Sequence, residues 1–284
     1  MLTPSIVADA VTRALAEDAP WGDISVTAAI PSTMQFHANL VARQPGRFAG
    51  GPVLSETFRQ VDPCITVSQL VAEGTEFSAG AVLASVSGPA AGILTAERVA
   101  LNFVQRLSGI ATLTAQFVAE VTRVGASARI ADTRKTTPGL RALEKHAVVA
   151  GGGVNHRFSL SDAVMLKDNH LAALGATDGT GLTEAILQVK AHIGHTTSII
   201  VEVDELSQVE PVVAAGVTGV LLDNFSPADL RAGVELIDGR CVAEASGGVT
   251  LDTVAEIAQT GVDIISVGAL THGAAALDLG LDAA

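Results

Sequence analysis

The sequence is poor in cysteine, in aromatic residues and in positive charge. Its 284 residues include two cysteines, Cys64 and Cys241, which stand far apart and form no Cys-x-x-Cys pair. A disulfide framework and a cysteine zinc site are therefore not indicated, and a reducing cytoplasm fits the chain. Tyrosine is absent and aromatic residues make up 3% of the chain. The sequence thus lacks the aromatic side chains, placed among basic residues, on which proteins that bind single-stranded nucleic acid stack the bases.

Charge and hydropathy exclude two more classes of protein. Lys and Arg number 17 against 30 Asp and Glu, a net charge of −13, which argues against nucleic acid as the main partner. No run of 18 apolar residues could span a membrane, and the N-terminus lacks the pattern of a signal peptide. Hydrophobic residues make up 48% and charged residues 17%. A chain of this size and composition is typical of a compact α/β enzyme of two domains, or of one barrel with an appendage.

Several common signatures of catalysis are also missing. The chain has no Gly-x-x-x-x-Gly-Lys-Ser/Thr loop, and no Gly-x-Gly-x-x-Gly follows a predicted strand. Kinase-type and Rossmann dinucleotide-binding functions therefore lack their motifs. Neither a Ser-His-Asp nucleophile elbow nor a cluster of histidine metal ligands is present.

The positive charge that the chain does have is concentrated in one stretch. Between Arg98 and His170 stand ten of the 17 Lys and Arg residues and five acids, a local net charge of +5. Such a cluster repels itself, and an acidic protein tolerates it where an anion binds. A solvated basic face is the simpler interpretation, but the interleaved Gly, Thr, Pro, Asn and His residues favour a binding site.

The hydrophobic pattern changes along the chain. Short β-like runs at 39–43, 65–70 and 81–86, preceded by a helical stretch at 5–17, predict a small α+β domain. Thr95 is predicted to cap a long helix or helix pair that is interrupted at Ser108 and Gly109. From residue 128 the pattern repeats as a short apolar strand and an amphipathic helix, with a period of 21 to 24 residues in its later part.

The repeat has six candidate strands and polar residues at nearly every strand end. The strands are predicted at 128–132, 163–167, 198–202, Gly219–Asp223, 241–244 and 264–268. The helices between the later strands, at 207–215, 226–237 and 250–259, each begin with a capping Ser or Thr. The carboxyl ends of the strands of a parallel β/α barrel converge on one face, where active sites lie. An open doubly wound sheet would gather only a few of these ends, so the pattern favours a barrel.

Three polar segments are candidate anion sites. Arg134 can bind a carboxylate or phosphate with two parallel hydrogen bonds and Lys135 adds a point charge, although the following Pro-Gly pair also suits an ordinary exposed turn. The Gly151–Gly153 run, followed by His156 and Arg157, resembles a loop that brings the backbone close to an anion; a linker and a structural histidine are the alternatives. Lys167 stands at a strand end.

The later strand ends suggest a sugar-phosphate site. Glu202 and Asp223 could share a magnesium-bound sugar diphosphate, or simply neutralise nearby bases. The segments that begin at Ser246 and Gly268 precede helices, where free backbone N–H groups bind phosphate. A glycine turn without a ligand is the alternative.

Taken in order, these residues closely resemble the quinolinate phosphoribosyltransferase family, also called nicotinate-nucleotide pyrophosphorylase (carboxylating). The resemblance covers nearly the whole chain and includes many motifs that occur in the same order along the sequence. The matching segments are 22–25, 95–102, 107–112, 132–138, 151–157, 167–170, 202–204, 222–225, 244–248 and 267–270. One departure is minor: Ser25 and Val26 stand where a Thr-rich stretch is expected.

The resemblance implies a reaction and an architecture. The reaction is the Mg²⁺-requiring transfer of phosphoribose from phosphoribosyl pyrophosphate to quinolinate, giving nicotinate mononucleotide, CO₂ and pyrophosphate in NAD biosynthesis. The architecture is an N-terminal α+β sandwich domain (residues 1–110), an incomplete TIM-like β/α barrel (111–270) and a C-terminal segment (271–284) that packs back on the first domain. A homodimer that can assemble further is expected in the cytoplasm, with Arg98 completing the partner's site.

The resemblance also implies the site residues. Lys135, Lys167, Glu202 and Asp223 are expected to be catalytic, with Glu202 and Asp223 contacting the metal indirectly through the diphosphate. The implied substrate-binding residues are Arg98, Thr133, Arg134, Lys135, His156, Arg157, Lys167, Glu202, Asp223, Ser246, Gly247, Gly248, Gly268, Ala269 and Leu270. Of these, Ser246–Gly248 and Gly268–Leu270 would hold the 5′-phosphate.

Two rival functions can be compared with this one, and the sequence argues against the first of them. The molybdenum-utilisation homologue of this family lacks the Lys-Asp-Asn-His stretch, which is intact here at Lys167–His170. A non-catalytic anion-binding dimer that keeps the pocket would bind ligand without releasing pyrophosphate.

Overall fold

A computed structural model of the chain describes residues 2–176 and 179–284. These residues form two compact units. The first comprises residues 2–115, 135–152 and 270–284, and the second comprises 116–134, 153–176 and 179–269. Residues 1, 177 and 178, which the predicted domain ranges include, lie outside the described residues. Among the described residues, no helix is long and apolar enough to cross a bilayer.

Helices and strands alternate along most of the chain. The strands are β1 (Gln35–Ala42), β2 (Gly46–Arg47), β3 (Thr66–Ser68), β4 (Glu76–Phe77), β5 (Val82–Pro89), β6 (Arg129–Ala131), β7 (Val164–Leu166), β8 (Ile199–Val203), β9 (Gly219–Asp223), β10 (Val242–Ser246), β11 (Ile264–Ser266) and β12 (Leu279–Ala283). The helices are α1 (Pro4–Asp18), α2 (Ile24–Ala29), α3 (Gly51–Val61), α4 (Ala90–Arg123), α5 (Arg141–Ala150), α6 (Asp168–Ala173), α7 (Gly179–Ala191), α8 (Val209–Ala214), α9 (Pro227–Ile237), α10 (Val254–Ala258) and α11 (Ala269–His272), with a 3₁₀ turn at Leu206–Gln208.

The first unit is an α+β domain built on an antiparallel sheet. The sheet has the strand order β12-β1-β5-β3, and β2 pairs separately with β4. Its core is apolar and tightly closed, with Leu40, Phe48, Phe58 and Ile93 at 1% exposure or less. Strand β12 completes the sheet by pairing with β1 over five residues.

The long helix α4 differs from its prediction in two ways. It begins at Ala90, so Thr95 lies inside the helix and the predicted N-cap is wrong. It also continues without a break through Ser108 and Gly109 to Arg123. The Ser108 hydroxyl exchanges hydrogen bonds with the backbone of Ala49. A Cβ on Gly109 would lie 2.0 Å from the carbonyl oxygen of Ala275. These two small residues therefore let the backbone of other segments approach the helix rather than interrupt it.

The second unit is the predicted β/α half of the protein. Its six strands form one parallel sheet in the order β6-β11-β10-β9-β8-β7. Parallel strands buried on both faces are continuously apolar, as Val201, Val220, Leu222 and Ile265 illustrate at 0% exposure. Strands β6 and β7 stand at the two ends of this sheet, and Val154 forms a single parallel bridge with Ala131 beyond β6. Among the described residues the sheet therefore corresponds to an incomplete barrel.

Only one of the three predicted helix caps in this unit is correct. Ser226 precedes α9, and its hydroxyl accepts the N–H of Asp229. Ser207 instead lies inside the 3₁₀ turn, and the helix cap is Gln208. Helix α10 begins at Val254, because Thr250 and the residues after it form a preceding turn closed by Thr253. In this unit, a Ser or Thr before an apolar run therefore occurs in a turn as well as at the start of a helix.

Candidate functional site

The strand register of the second unit places four polar side chains on one face of the sheet. Glu202 of β8 lies opposite Leu221 of β9, which in turn lies opposite Glu244 of β10. Directly opposed residues of neighbouring strands point to the same face. Asp223 is two residues beyond Leu221 on that face, and Ser246 is its partner in β10. These acids and the serine therefore gather near the carboxyl ends of the strands, as the sequence pattern predicted.

Lys167 is joined to this face by an ion pair. It directly follows β7, and its Nζ donates to Oε2 of Glu202. The lysine side chain keeps 42% of its surface exposed and that of Glu202 keeps 15%, so a ligand can reach the ammonium group. The backbone N–H of Lys167 donates to Nδ1 of His170 at 3.1 Å. The histidine of the Lys-Asp-Asn-His stretch thus fixes the backbone of its lysine.

Two arginines of the second unit, Arg134 and Arg157, lie within electrostatic range of each other. Burial lowers the pKa of the Arg157 guanidinium, and the positive charge of Arg134 lowers it further, while Asp162 acts in the opposite direction. Nη1 of Arg157 donates to the carbonyl oxygen of Ala163 at 3.1 Å, which holds the group in place. Two guanidinium groups within electrostatic range of each other favour an anion that binds both.

His156 is held by acids on both sides. Its Nδ1 accepts the backbone N–H of Arg157 at 2.7 Å, so the ring proton of the neutral imidazole lies on Nε2. Nε2 is 3.4 Å from Oε1 of Glu244, a buried carboxylate that also accepts the hydroxyl of Ser266. The backbone N–H of His156 donates to Oδ1 of the fully buried Asp132 at 2.8 Å. Both ring nitrogens are thereby engaged, and the ring orients the backbone that carries Arg157.

The glycines after β10 form a tight loop against the end of β9. Gly247 has φ +92°, and a Cβ there would lie 2.2 Å from Oδ1 of Asn224. Asn224 itself donates from Nδ2 to Oδ2 of Asp223 at 2.7 Å and from its backbone N–H to the carbonyl of Ser246 at 2.9 Å. Around the Cβ position of Gly248, by contrast, no heavy atom of the described residues lies within 4 Å apart from those of its chain neighbours. The loop is therefore closed on one side and open on the other.

The remaining predicted residues lie in both units. In the second unit, Thr133 precedes Arg134 and is half-buried, and Gly268 and Ala269 follow β11. Arg98, Lys135 and Leu270 belong to the first unit. Arg98 is exposed on α4 and Lys135 is exposed. The side chain of Leu270 is fully buried, so only its backbone could contact a phosphate.

The acids do not form a metal-binding cluster by themselves. In residues 2–176 and 179–284, no group of three His, Cys, Asp or Glu side chains is arranged to hold a metal ion. Glu202 is engaged by Lys167, and Asp223 accepts a hydrogen bond from Asn224. Mg²⁺ usually keeps several waters and binds through one or two carboxylates plus substrate phosphates. Two carboxylates on adjacent strands fit this mode, in which the substrate supplies the other ligands.

Glu244 and Asn224 also belong to this site, although neither is among the predicted site residues. Glu244 stands in the apolar strand Val242–Ser246, where an acid between two alanines is a recognisable signal of a buried carboxylate. Asn224 has φ +58°, a backbone conformation that Asn tolerates better than most residues. Its role depends on the neighbouring strand, which the sequence does not identify.

Two family models match the chain over almost its whole length. The model of the quinolinate phosphoribosyl transferase N-terminal domain matches residues 23–108. The model of the C-terminal domain of the same family matches residues 110–282.

Curated proteins and solved structures agree with these matches. The chain is 41% identical to a probable nicotinate-nucleotide pyrophosphorylase (carboxylating) of Bacillus subtilis, over 94% of this chain and 89% of that protein. It is 43% identical to the nicotinate-nucleotide pyrophosphorylase (carboxylating) of Mycobacterium leprae, over 96% of both. The crystal structure of NadC from Streptococcus pyogenes superposes with a TM-score of 0.93 at 38% identity, over 99% of this chain and 97% of that one.

Proposed function

Because the chain belongs to the quinolinate phosphoribosyltransferase family, we propose that it transfers phosphoribose from phosphoribosyl pyrophosphate to quinolinate. The products are nicotinate mononucleotide, CO₂ and pyrophosphate, in the biosynthesis of NAD. The observation that carries this proposal is the position of Lys167, Glu202 and Asp223 at one edge of the parallel sheet, in a chain that both family models match. Arg134 and Arg157 add positive charge to a protein of net charge −13. Quinolinate carries two carboxylates, and its co-substrate carries several phosphates. The two guanidinium groups can bind these anionic groups, and the neighbouring carboxylates can stabilise the positive charge that develops on the sugar.

The arginines recognise quinolinate. A guanidinium group binds a carboxylate through two parallel hydrogen bonds, so Arg134 and Arg157 can each hold one carboxylate of the ring. Lys135, next to Arg134 in the chain, and Thr133, before it, add a charge and a hydroxyl. His156 supports this binding by orienting the backbone of Arg157.

The acidic face stabilises the reacting sugar. The ring nitrogen forms a bond to C1 of the ribose while the bond from C1 to the pyrophosphate oxygen breaks, which leaves C1 positively charged in the transition state. Carboxylates that are already in place lower the energy of such a charge. Glu202 and Asp223 supply them. The diphosphate competes with Glu202 for Lys167, and its binding releases the carboxylate of Glu202 toward C1.

Decarboxylation follows from the new charge on the ring. Once the nitrogen is bonded to ribose it is positive, and the carbon next to it can keep the electron pair of the carboxylate that leaves as CO₂. That carbon then takes up a proton from solvent. Holding the ring through Lys135 and Arg157 keeps the departing carboxylate in place, and a Lys135→Ala enzyme with unchanged turnover would contradict this role.

The glycine loops hold the 5′-phosphate. Backbone N–H groups ahead of a helix bind phosphate oxygens, and the open side of Gly248 leaves room for one. Ser246, Gly247 and the segment Gly268–Leu270 complete this part of the site.

Magnesium is the implied cofactor, and Glu202 and Asp223 are the residues that would hold it, through the diphosphate. When bound, Mg²⁺ neutralises charge on the leaving pyrophosphate. This assignment is supported by the two carboxylates on adjacent strands and by the affinity of Mg²⁺ for phosphate oxygens.

The working form is a homodimer in the cytoplasm. Arg98 is exposed on α4 and contributes to the site of the partner subunit, and dimers can assemble further. Reduced, widely separated cysteines fit a cytoplasmic location.

Product formation tests the proposal. The purified chain, incubated with quinolinate, phosphoribosyl pyrophosphate and Mg²⁺, should form nicotinate mononucleotide and pyrophosphate in equal amounts. Nicotinate in place of quinolinate should give no product, whereas a non-decarboxylating nicotinate phosphoribosyltransferase would accept it. Binding of quinolinate without release of pyrophosphate would instead identify a non-catalytic anion-binding protein.

A further inference from the structure

Side chains from other segments form hydrogen bonds to the loop that carries Lys135. Residues 132–140 contain no helix or strand, so their backbone groups need partners from elsewhere. The Thr271 hydroxyl donates to the carbonyl oxygen of Lys135 at 2.5 Å. Nε of Arg141 donates to the Thr136 hydroxyl at 3.0 Å. The Thr137 backbone N–H donates to Oε2 of Glu144 at 3.0 Å.

Glu144 is the centre of these contacts. Its side chain is fully buried, and an isolated carboxylate in that position would be costly. The cost is offset by four donors: the N–H and hydroxyl of Thr137, and Nε and Nη2 of Arg106 at 3.2 and 2.9 Å. A carboxylate so fully satisfied holds its partners in one geometry.

Arg106 connects Glu144 to the segment that anchors Lys135. Its Nη1 donates to the carbonyl of Ala274 at 2.7 Å, and its Nη2 also donates to the carbonyl of Thr271. Thr271 in turn binds Lys135. The contacts therefore close a ring that starts at Thr137, passes through Glu144, Arg106 and Thr271, and returns to the loop at Lys135.

We propose that this ring is a positioning device: Arg106, Glu144, Thr137 and Thr271 fix the backbone of Lys135 so that its ammonium group is preset to bind the anionic substrate. The inference rests on the proposed function for the role of Lys135 itself. None of the four residues needs to touch substrate. Their contribution is to reduce the conformational freedom that Lys135 would otherwise lose on binding.

A fold-stabilising role alone would be the simpler explanation of a buried ion pair, because such pairs are common in protein interiors. The two explanations differ in what they predict for Lys135. If the ring only stabilises the fold, its loss lowers stability without acting through Lys135. If it positions Lys135, its loss weakens substrate binding only while Lys135 is present.

The test compares Thr271→Val with Thr57→Val. Thr57 is equally buried, and its hydroxyl donates to a helix carbonyl, that of Val53, at 2.7 Å, so it controls for the loss of a buried hydroxyl. Thr271→Val should raise the KM for quinolinate about tenfold and leave kcat within about twofold, as expected for the loss of one hydrogen bond that affects binding. Thr57→Val should change neither constant. Thr271→Ser, which keeps the hydroxyl, should restore the KM.

A double-mutant cycle decides whether the effect passes through Lys135. In a Lys135→Ala background, Thr271→Val should cause no further rise in KM, because the positioned group is gone. An equal rise in both backgrounds, or identical kinetics for Thr271→Val and Thr57→Val, would overturn the inference. Thr137→Val, at an exposed position, gives a second variant if Thr271→Val does not fold, and its KM should also rise.

One readout does not depend on turnover. Hydrogen exchange of a peptide that covers residues 135–140 should be faster in Thr271→Val than in the wild type, and unchanged in Thr57→Val. If the wild type makes no nicotinate mononucleotide, the proposed function is wrong. Unchanged hydrogen exchange of residues 135–140 in Thr271→Val would separately refute the anchoring of the loop, whether or not the enzyme is active. If the wild type is active and only the comparison with Thr57→Val fails, the positioning inference alone is lost.

Discussion

Arg157 lies within electrostatic range of Arg134: burial lowers the pKa of the Arg157 guanidinium, and the positive charge of Arg134 lowers it further. An anion that binds both guanidinium groups would reduce this repulsion. The arrangement makes a specific prediction about the two arginines.

Arg157→Ala should raise the KM for quinolinate by about a hundredfold, because a charge-assisted bidentate contact contributes roughly 2–3 kcal/mol to binding. Arg157→Lys should recover only part of this loss, since an ammonium group cannot form two parallel hydrogen bonds. Arg240→Ala is the matched control, because Arg240 forms an exposed ion pair with Glu210. Steady-state kinetics would measure all three. Equal KM values for Arg157→Ala and Arg240→Ala would remove Arg157 from the site.

Glu244→Ala should lower both stability and activity. The change leaves the Ser266 hydroxyl and Nε2 of His156 without the buried carboxylate that now faces them, at a cost of about 1–3 kcal/mol in the free energy of unfolding. The His156 ring, which orients the backbone of Arg157, also loses the carboxylate that holds it, so the KM for quinolinate should rise. Urea unfolding and kinetics together check this result. A variant that is less stable but has a normal KM would show that His156 does not act through Arg157.

Gly247→Ala should be more damaging than Gly239→Ala. Both glycines have positive φ, +92° and +65°, but the Cβ position of Gly239 has no heavy atom within 4 Å. At Gly247 the new methyl group would collide with Asn224, which holds Asp223. Backbone strain at Gly239 should cost about 1 kcal/mol, and the loss at Gly247 should exceed it and also raise the KM for phosphoribosyl pyrophosphate. Similar melting temperatures for the two variants would contradict the close packing seen at Gly247.

Glu73 predicts a loss of stability in acid. Burial opposes ionisation of this carboxyl group, but hydrogen bonds from His146 at 2.8 Å and from the N–H groups of Gly50 and Gly51 hold its pKa below the ordinary value of 4.5. A carboxyl group whose pKa is lower in the folded state adds stability above its unfolded pKa, and this stability is lost as the pH falls through the folded value. Glu73→Gln should therefore be less stable than the wild type at pH 7, with the difference shrinking below pH 4.5. Chemical unfolding across this range would measure it, and a difference that stays constant would exclude the linkage.

The β/α half of the fold could be predicted from the sequence because its signals are local. Each strand is a short apolar run, and the polar residues that end it, such as Glu202 and Asp223, mark the carboxyl end of a parallel sheet. Thr95 shows where local signals fail. A threonine ahead of an apolar run resembles a cap, but α4 already begins at Ala90, and only packing reveals its full length.

The finer contacts of the site depend on which strands are neighbours. Glu244 reaches Ser266 because β10 and β11 are paired, and Asn224 meets Gly247 because β9 and β10 are paired. The predicted barrel places consecutive strands side by side, but the local sequence does not give the register that brings these side chains together. The same limit applies to Glu144 and Arg106, which are 38 residues apart and lie in two separate helices.

The pairing of β12 with β1 has a consequence for how the protein is made. Strand β1 is synthesised early, yet one of its edges is covered by residues that follow more than 230 positions later, as the pair Ala42 and Leu279 shows. During translation that edge stays open, and open strand edges pair readily with other chains. The nascent protein is therefore exposed to aggregation through this edge until β12 has left the ribosome and paired with β1.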